Sequence, residues 1–120
     1  MLSGLKTYFK VAWACKTPLV IILDTEYKSI STEVLKEIAA QIKSRFKYIE
    51  NIADCDDAAL LFKAAASERQ ENGVGLIFGK TPRGLHAWNV AMRDDGLYEV
   101  EPQTAAIGKR KGYKPWVVII

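Results

Sequence analysis

The spacing of apolar residues changes along the chain, from a helical period in the first half to strand-like runs in the second. One apolar stripe recurs at helical spacing through Leu35, Ile38, Ile42 and Phe46. Charged residues fill the opposite face, so the pattern predicts an amphipathic helix over about residues 32–47. Ser31 directly precedes it and is a favourable N-cap residue.

A second helical pattern starts at Asp54. Its apolar stripe runs through Ala58, Leu61, Phe62, Ala65 and Ala66. Asp54 and Asp57 have the spacing of an N-cap and the third helical residue, where acidic side chains are favourable. Asn72 and Gly73 supply a stop signal. Cys55 therefore lies in the first turn of this predicted helix, at the head of its apolar stripe.

The remaining patterns predict strands. Residues 19–23 form a continuous apolar run, which is typical of a buried strand. Four further strands are predicted in the second half, at residues 74–78, 85–92, 97–101 and 116–120. Residues 94–96, Asp-Asp-Gly, are a strong hairpin signal that makes the middle two antiparallel neighbours. The order of elements predicts an α+β fold with N-terminal helices packed on an antiparallel sheet.

Composition limits the class of protein. The 120 residues are enough for one domain, and 49 % hydrophobic with 26 % charged residues is ordinary for a globular chain. No apolar run is long enough for a membrane span or a secretory signal. We therefore expect a single domain over residues 1–120, without membrane or nucleic-acid partners, in a cytoplasmic or phage-associated setting. The net charge of +3 is mild, although Lys109, Arg110, Lys111 and Lys114 form a basic cluster.

Cys55 is the candidate nucleophile. A helix start supplies partial positive charge and free N–H groups, both of which favour a thiolate. The nearby aspartates act against this by raising the pKa of a thiol, so a cationic partner would be needed. The alternative is a buried cysteine that packs like a small hydrophobe. Cys15 and Cys55 are the two cysteines, and they fit neither a disulfide framework nor a zinc pattern.

His86 is the single histidine of the chain and hence the candidate base. Side chains alternate between the two faces of a strand. Whether the turn consists of the two residues 95–96 or the four residues 93–96, Glu101 and Gln103 share the face of His86, and Asn89 lies on the other face. Glu101 is therefore expected to orient the imidazole, as in a catalytic triad. The alternative for Glu101 is a solvated strand carboxylate.

The stretches at residues 54–59, 84–89 and 99–103 together resemble a known family. They are similar to papain-like, transglutaminase-like cysteine peptidases, and within these to the C-terminal protease domain of a fungal agglutinin and related short phage-borne proteins. The order cysteine, histidine, acid agrees with that family. The resemblance implies a papain-like minimal domain with Cys55 as nucleophile, His86 as general base and Glu101 as orienting acid.

The resemblance also implies a calcium site beside the nucleophile. Asp56 and Asp57 are then the candidate ligands, with Gln103 a weaker one, although two carboxylates fall short of the six to eight oxygens that calcium prefers. The plain alternative is that these acids only stabilise the helix start. No glutamine precedes Cys55 where papain-like enzymes use one for the oxyanion, so Tyr48 and Asn51 are substitute candidates.

These observations lead to a cysteine hydrolase that cleaves a peptide or amide bond of a peptide or protein substrate through a thioester. Three alternatives stay open. One is transglutaminase-type acyl transfer by the same residues. Another is a non-catalytic binding or structural module that retains the fold. The third is nucleic-acid binding by the basic loop with Tyr113 and Trp116. The expected chemistry needs no cofactor, and calcium is the one candidate for a bound ion.

Overall fold

The structure is a computed structural model that describes residues 1–109 and 111–120. Within them the helices are α1 (Gly4–Cys15), α2 (Thr32–Arg45) and α3 (Cys55–Glu68). The strands are β1 (Leu2–Ser3), β2 (Val20–Ile21), β3 (Glu26–Tyr27), β4 (Val74–Thr81), β5 (Gly84–Arg93), β6 (Gly96–Glu101), β7 (Ala106–Ile107) and β8 (Lys114–Ile119). The described residues thus form an α+β fold, as the order of patterns predicts.

The main sheet has the strand order β2-β8-β4-β5-β6-β7 within the described residues, and β1 pairs separately with β3. All neighbours in the main sheet are antiparallel except β2, which runs parallel to β8. The prediction of a purely antiparallel sheet is therefore wrong at this edge. The reason is the α1 to β2 segment, which returns alongside the last strand.

Helices cover both faces of the sheet. Trp88, Val90 and Met92 of β5 point to one face, where they pack in a cluster with Val11 and Cys15 of α1. The alternate residues of the same strand point to the other face and pack with α3. Strand β5 is therefore buried along most of its length, which explains its nearly continuous apolar sequence.

The two predicted helices are close to the observed ones. Ser31 caps α2 by accepting a hydrogen bond from the backbone of Val34, as its sequence position predicts. Helix α2 ends at Arg45, about two residues early. Helix α3 starts at Cys55 but ends at Glu68, before the stop signal at residues 72–73. The intervening residues form a turn instead.

The apolar run at residues 19–23 is not the buried strand that its sequence predicts. Only Val20 and Ile21 pair with β8, and they do so at the edge of the sheet. Leu19, Ile21 and Leu23 remain 59 %, 50 % and 58 % exposed. These alternate side chains are exposed because α3 packs on β4 and β5 and does not cover this end of its face, whereas α1 packs against β2 and β8 on the other face.

The predicted hairpin at residues 94–96 is confirmed. Arg93 pairs with Gly96 and Asn89 pairs with Val100, which is the register expected from the four-residue turn over 93–96, although the turn itself has only two residues, Asp94 and Asp95. Gly96 has a φ of 144°, a conformation that favours glycine. This register brings the start of β5 alongside the end of β6, where the candidate site lies. None of the helices in the described residues has the length and apolar character needed to cross a membrane.

Candidate functional site

The centre of the site is a pair formed by His86 and Glu101. His86 Nε2 lies 2.6 Å from Glu101 Oε2, and only 18 % and 7 % of the two side chains is exposed. Glu101 also accepts a hydrogen bond from the Tyr113 hydroxyl at 3.3 Å and a long one, 3.5 Å, from the backbone N–H of Gln103. A carboxylate held by several donors on neighbouring elements fixes the orientation of the imidazole.

Aromatic rings surround the imidazole. The His86 ring stacks on Trp88 with centroids 5.8 Å apart, and it meets the edge of Tyr113 at 5.7 Å. Trp88 and Tyr113 also contact each other at 4.9 Å. Trp88 Nε1 donates to Glu99 Oε1, so the buried ring keeps a polar partner. These contacts leave the imidazole little freedom to rotate.

Cys55 is the first residue of α3 and is half-buried. Burial raises the pKa of its thiol above the ordinary value. A main-chain hydrogen bond with Ala87 lowers the pKa, whereas the negative charges of Asp54 and Asp56 raise it further. The helix start therefore does not produce the lowered thiol pKa that its sequence position suggests.

Cys55 and His86 approach β5 from different sides. The thiol packs with Ala59 and Ala87, which point towards α3. The imidazole lies with Trp88 and Tyr113, whose cluster belongs to the face of α1. The structure thus brings His86 and Glu101 together and puts Cys55 against the residue next to His86. A direct pairing of thiol and imidazole stays a prediction.

Asn89 lies away from the imidazole, as hairpin parity predicts. It is fully buried, and its Nδ2 donates to the carbonyls of Ala59 and Gly75 at 3.0 and 3.1 Å. These bonds tie α3 to the sheet directly behind the site. Asn89 is therefore a structural residue.

The start of α3 concentrates negative charge. The ligand atoms of Asp54, Cys55 and Asp56 lie within 4.8 Å of one another. A hydrogen bond with Asp56, with smaller contributions from burial and nearby charge, raises the pKa of the Asp54 carboxyl. Asp57 instead accepts from the backbone N–H of Asp54 at 3.0 Å, so its side chain is used in the helix cap. Two carboxylates and a thiol are a poor match for calcium.

The oxyanion candidates Tyr48 and Asn51 lie in the loop between α2 and α3. Tyr48 is 57 % exposed, and Asn51 has a φ of 62° in a tight turn closed by Ile49 and Ala53. Gln103 lies closer to the centre of the site because its backbone holds Glu101. Of the three secondary candidates, Gln103 is the one that the structure brings to His86.

A cleft of about 450 Å³ opens beside the His86–Glu101 pair, between the β4–β5 turn and the segment after β6. Its wall combines planar polar groups, cations and one aromatic ring. The lining includes Arg83, His86, Gln103, Thr104, Lys111 and Tyr113. The sequence pattern did not predict Arg83 as a site residue, because Arg83 reaches the cleft through the tight turn between β4 and β5. Tyr113 was predicted only as part of the basic loop. Arg110 of that loop lies outside the described residues.

Comparisons with known proteins show that the chain shares its fold with solved structures. No protein-family model matches the chain, and no curated protein matches its sequence. Among solved structures, a PSL1a–E64 complex has a TM-score of 0.82 at 23 % identity. Polyporus squamosus lectin bound to the human-type influenza-binding epitope Neu5Aca2-6Galb1-4GlcNAc has a TM-score of 0.83 at 22 % identity. Each match covers 99 % of this chain but only 51 % and 49 % of the other, so the chain spans about half their length.

These neighbours correct the resemblance to papain-like, transglutaminase-like cysteine peptidases. Nearly the whole chain has the fold of part of the Polyporus squamosus lectin chain. The raised pKa of Cys55 agrees with the correction, since a nucleophilic cysteine needs a lowered one. The lectin neighbours contradict the predictions of an enzyme, of a thioester-forming hydrolase or acyl transferase, and of a peptide or protein substrate.

Proposed function

We propose that the chain is a binding module that takes an acidic saccharide in the cleft beside His86. The observation that carries this proposal is the composition of the cleft wall. Saccharides are recognised by planar polar side chains that bind hydroxyl groups and by aromatic rings that pack on the sugar face. Gln103, Tyr113 and the fixed imidazole of His86 supply both kinds of group.

Cations at the rim favour a negatively charged sugar. Arg83 and Lys111 are exposed side chains that border the cleft. An arginine can bind a carboxylate with two parallel hydrogen bonds. The epitope bound to Polyporus squamosus lectin contains Neu5Ac, which carries a carboxylate. This supports an acidic saccharide as the ligand, within the alternative of a non-catalytic module that retains the fold.

The test is calorimetric titration with the printed trisaccharide and with Galb1-4GlcNAc, which lacks the acidic sugar. We expect binding of the trisaccharide and a loss of about tenfold in affinity for Arg83→Gln, consistent with one charge-assisted contact. Arg45→Gln, at an exposed arginine of α2 that does not line the cleft, is the matched control and should leave affinity unchanged. No heat from either sugar at millimolar concentration would overturn the proposal.

E64 is a second probe, because one of the neighbours is a complex with it. The protein is incubated with E64 and then titrated with the trisaccharide, and its mass is measured. Saccharide binding that is unchanged by E64 supports the proposal. A mass increase located at Cys55, together with no binding of the trisaccharide, would mean that the site binds E64 covalently and does not bind saccharides. That outcome would overturn the proposal.

The single domain expected over residues 1–120 stays a prediction, and so do three further expectations. The first is a role for Cys55 beside the His86–Glu101 pair. The second is calcium at Asp56 and Asp57, although the clustered ligand atoms are those of Asp54, Cys55 and Asp56, which are too few oxygens for calcium. The third is a cytoplasmic or phage-associated setting. Calorimetry of the metal-free protein with calcium tests the second.

A further inference from the structure

Helix α1 exposes a stripe of large apolar side chains. Leu5, Phe9 and Trp13 are 70 %, 62 % and 88 % exposed, and their four-residue spacing puts them on one face of the helix. The opposite face is buried against the sheet through Thr7, Val11 and other residues. An amphipathic helix normally buries its apolar stripe, so a second exposed stripe on α1 marks a contact surface.

The stripe lies in a positively charged segment of the chain, and Asp94 and Asp95 of the neighbouring hairpin are the nearest acids in its border. Lys6 and Lys10 lie on α1 and Lys16 follows it, and residues 1–23 contain no aspartate or glutamate. The hairpin after β5 borders the stripe at Gly96 and Leu97, where an open, shallow depression reaches Phe9 and Trp13. The neighbouring Asp95 is held by the Tyr98 hydroxyl at 2.7 Å and lies 3.8 Å from Arg93, which balances its charge.

In place of the sequence-based expectation of no membrane partner, we propose that α1 docks on an anionic lipid surface through Leu5, Phe9 and Trp13, with Lys6 and Lys10 facing the headgroups. Tryptophan is favourable at the level of the headgroups, and lysine stems lie along apolar surface while the ammonium group stays in water. A helix with an exposed apolar face and a basic flank is typical of interfacial binding. The shallow depression with a protruding Trp13 suits a lipid surface better than a partner helix, which needs a groove.

The experiment is co-sedimentation of the whole chain with glycan-free vesicles, so that the proposed saccharide cleft makes no contribution. Vesicles of phosphatidylcholine alone are compared with vesicles that also contain phosphatidylserine. We expect strong binding only to the second kind, and weaker binding as salt is added. Lys6→Gln and Lys10→Gln should each lower the partition coefficient about fivefold.

Trp13→Ser is the decisive variant, because an exposed residue can be changed without affecting the core. It should lower binding at least about tenfold, since the burial of apolar area in the interface is lost. Trp116→Ser is the matched control, since Trp116 is also half-exposed but belongs to β8. Equal binding of wild type and Trp13→Ser would overturn the proposal. A concentration-dependent dimer in light scattering, lost in Trp13→Ser, would instead assign the stripe to a second copy.

Discussion

The two cysteines show how far burial decides the chemistry of a residue. Cys15 ends α1 within the apolar cluster and is only 8 % exposed. Burial, together with the charge of Glu99, raises its pKa from 9.0 to about 12. Cys55 is half-buried. Burial and the charges of Asp54 and Asp56 raise the pKa of its thiol, whereas a main-chain hydrogen bond with Ala87 lowers it by a smaller amount. The two thiols should therefore react at very different rates.

We expect iodoacetamide to modify Cys55 at least about tenfold faster than Cys15 in the folded protein near neutral pH. A pKa three units above the ordinary value lowers the thiolate fraction about a thousandfold, and burial restricts access as well. Raising the pH increases the rate at both sites, because each thiol loses its proton as the pH approaches its raised pKa. Peptide mass spectrometry locates the label. Equal rates in the native protein would contradict this prediction, and equal rates after denaturation are the control.

At the scale of single residues, the contact between His86 and Glu101 was predictable from the sequence, whereas the pKa of the Cys55 thiol was not. The contact of His86 with Glu101 follows from strand alternation and the hairpin at residues 94–96, both of which the sequence contains. The state of the Cys55 thiol depends on what covers it and on the distances to Asp54 and Asp56. Neither quantity is encoded in local spacing, so the helix start alone suggested a lowered pKa.

At the element scale, α3 illustrates how a helix start is fixed by its own first turn. The Asp57 carboxylate accepts from the backbone N–H of Asp54 at 3.0 Å and so supports one end of a capping box. Asp56 is exposed beside it and is hydrogen-bonded to Asp54. The two neighbouring acids thus have different roles, one in the cap and one at the surface.

We expect Asp57→Ala to lower the free energy of unfolding by about 1 kcal/mol, because one capping hydrogen bond is lost. Asp57→Asn should lose less, since its amide oxygen can still accept the bond. Urea unfolding monitored by circular dichroism measures the difference. Asp56→Ala is the control at the adjacent position and should leave stability almost unchanged. A larger loss for Asp56→Ala than for Asp57→Ala would show that the cap is not the relevant interaction.

The edges of elements were less predictable than their existence. Helices α2 and α3 have long periodic stripes, which survive small errors in boundary. The run at residues 19–23 is apolar throughout, and such a run is compatible with a buried strand and with an exposed edge strand. The structure has the edge strand, around Val20 and Ile21. The difference lies in the position of α3 on the sheet, which is a tertiary property. For the same reason the parallel pairing of β2 with β8 had no local signal.

At the scale of the whole molecule, one hydroxyl joins segments that are far apart in sequence. Tyr27 is fully buried, and its hydroxyl donates to the main-chain oxygen of Ile120 at 2.6 Å. The same oxygen atom of Tyr27 accepts from the backbone N–H groups of Leu23 and Asp24 at 3.0 and 2.9 Å. The segment between β2 and β3 is thereby tied to the end of β8, next to the parallel edge of the sheet.

Tyr27→Phe should therefore destabilise the whole fold by about 2 kcal/mol, because it removes three hydrogen bonds, one of them buried, while the ring still fills its place. Leu23 N–H and the Ile120 oxygen keep each other as partners at 2.7 Å, so the loss falls mainly on the Asp24 N–H. Tyr98→Phe is the matched control, since it removes one exposed hydroxyl bond to Asp95 and should cost less than about 0.5 kcal/mol.

Both variants are compared by chemical denaturation with two probes, tryptophan fluorescence and circular dichroism. Coincident transitions at a lower midpoint for Tyr27→Phe indicate that the tie stabilises the molecule as one cooperative unit. Equal stability of the two variants would mean that the edge formed by β2 and β3 is held by packing alone.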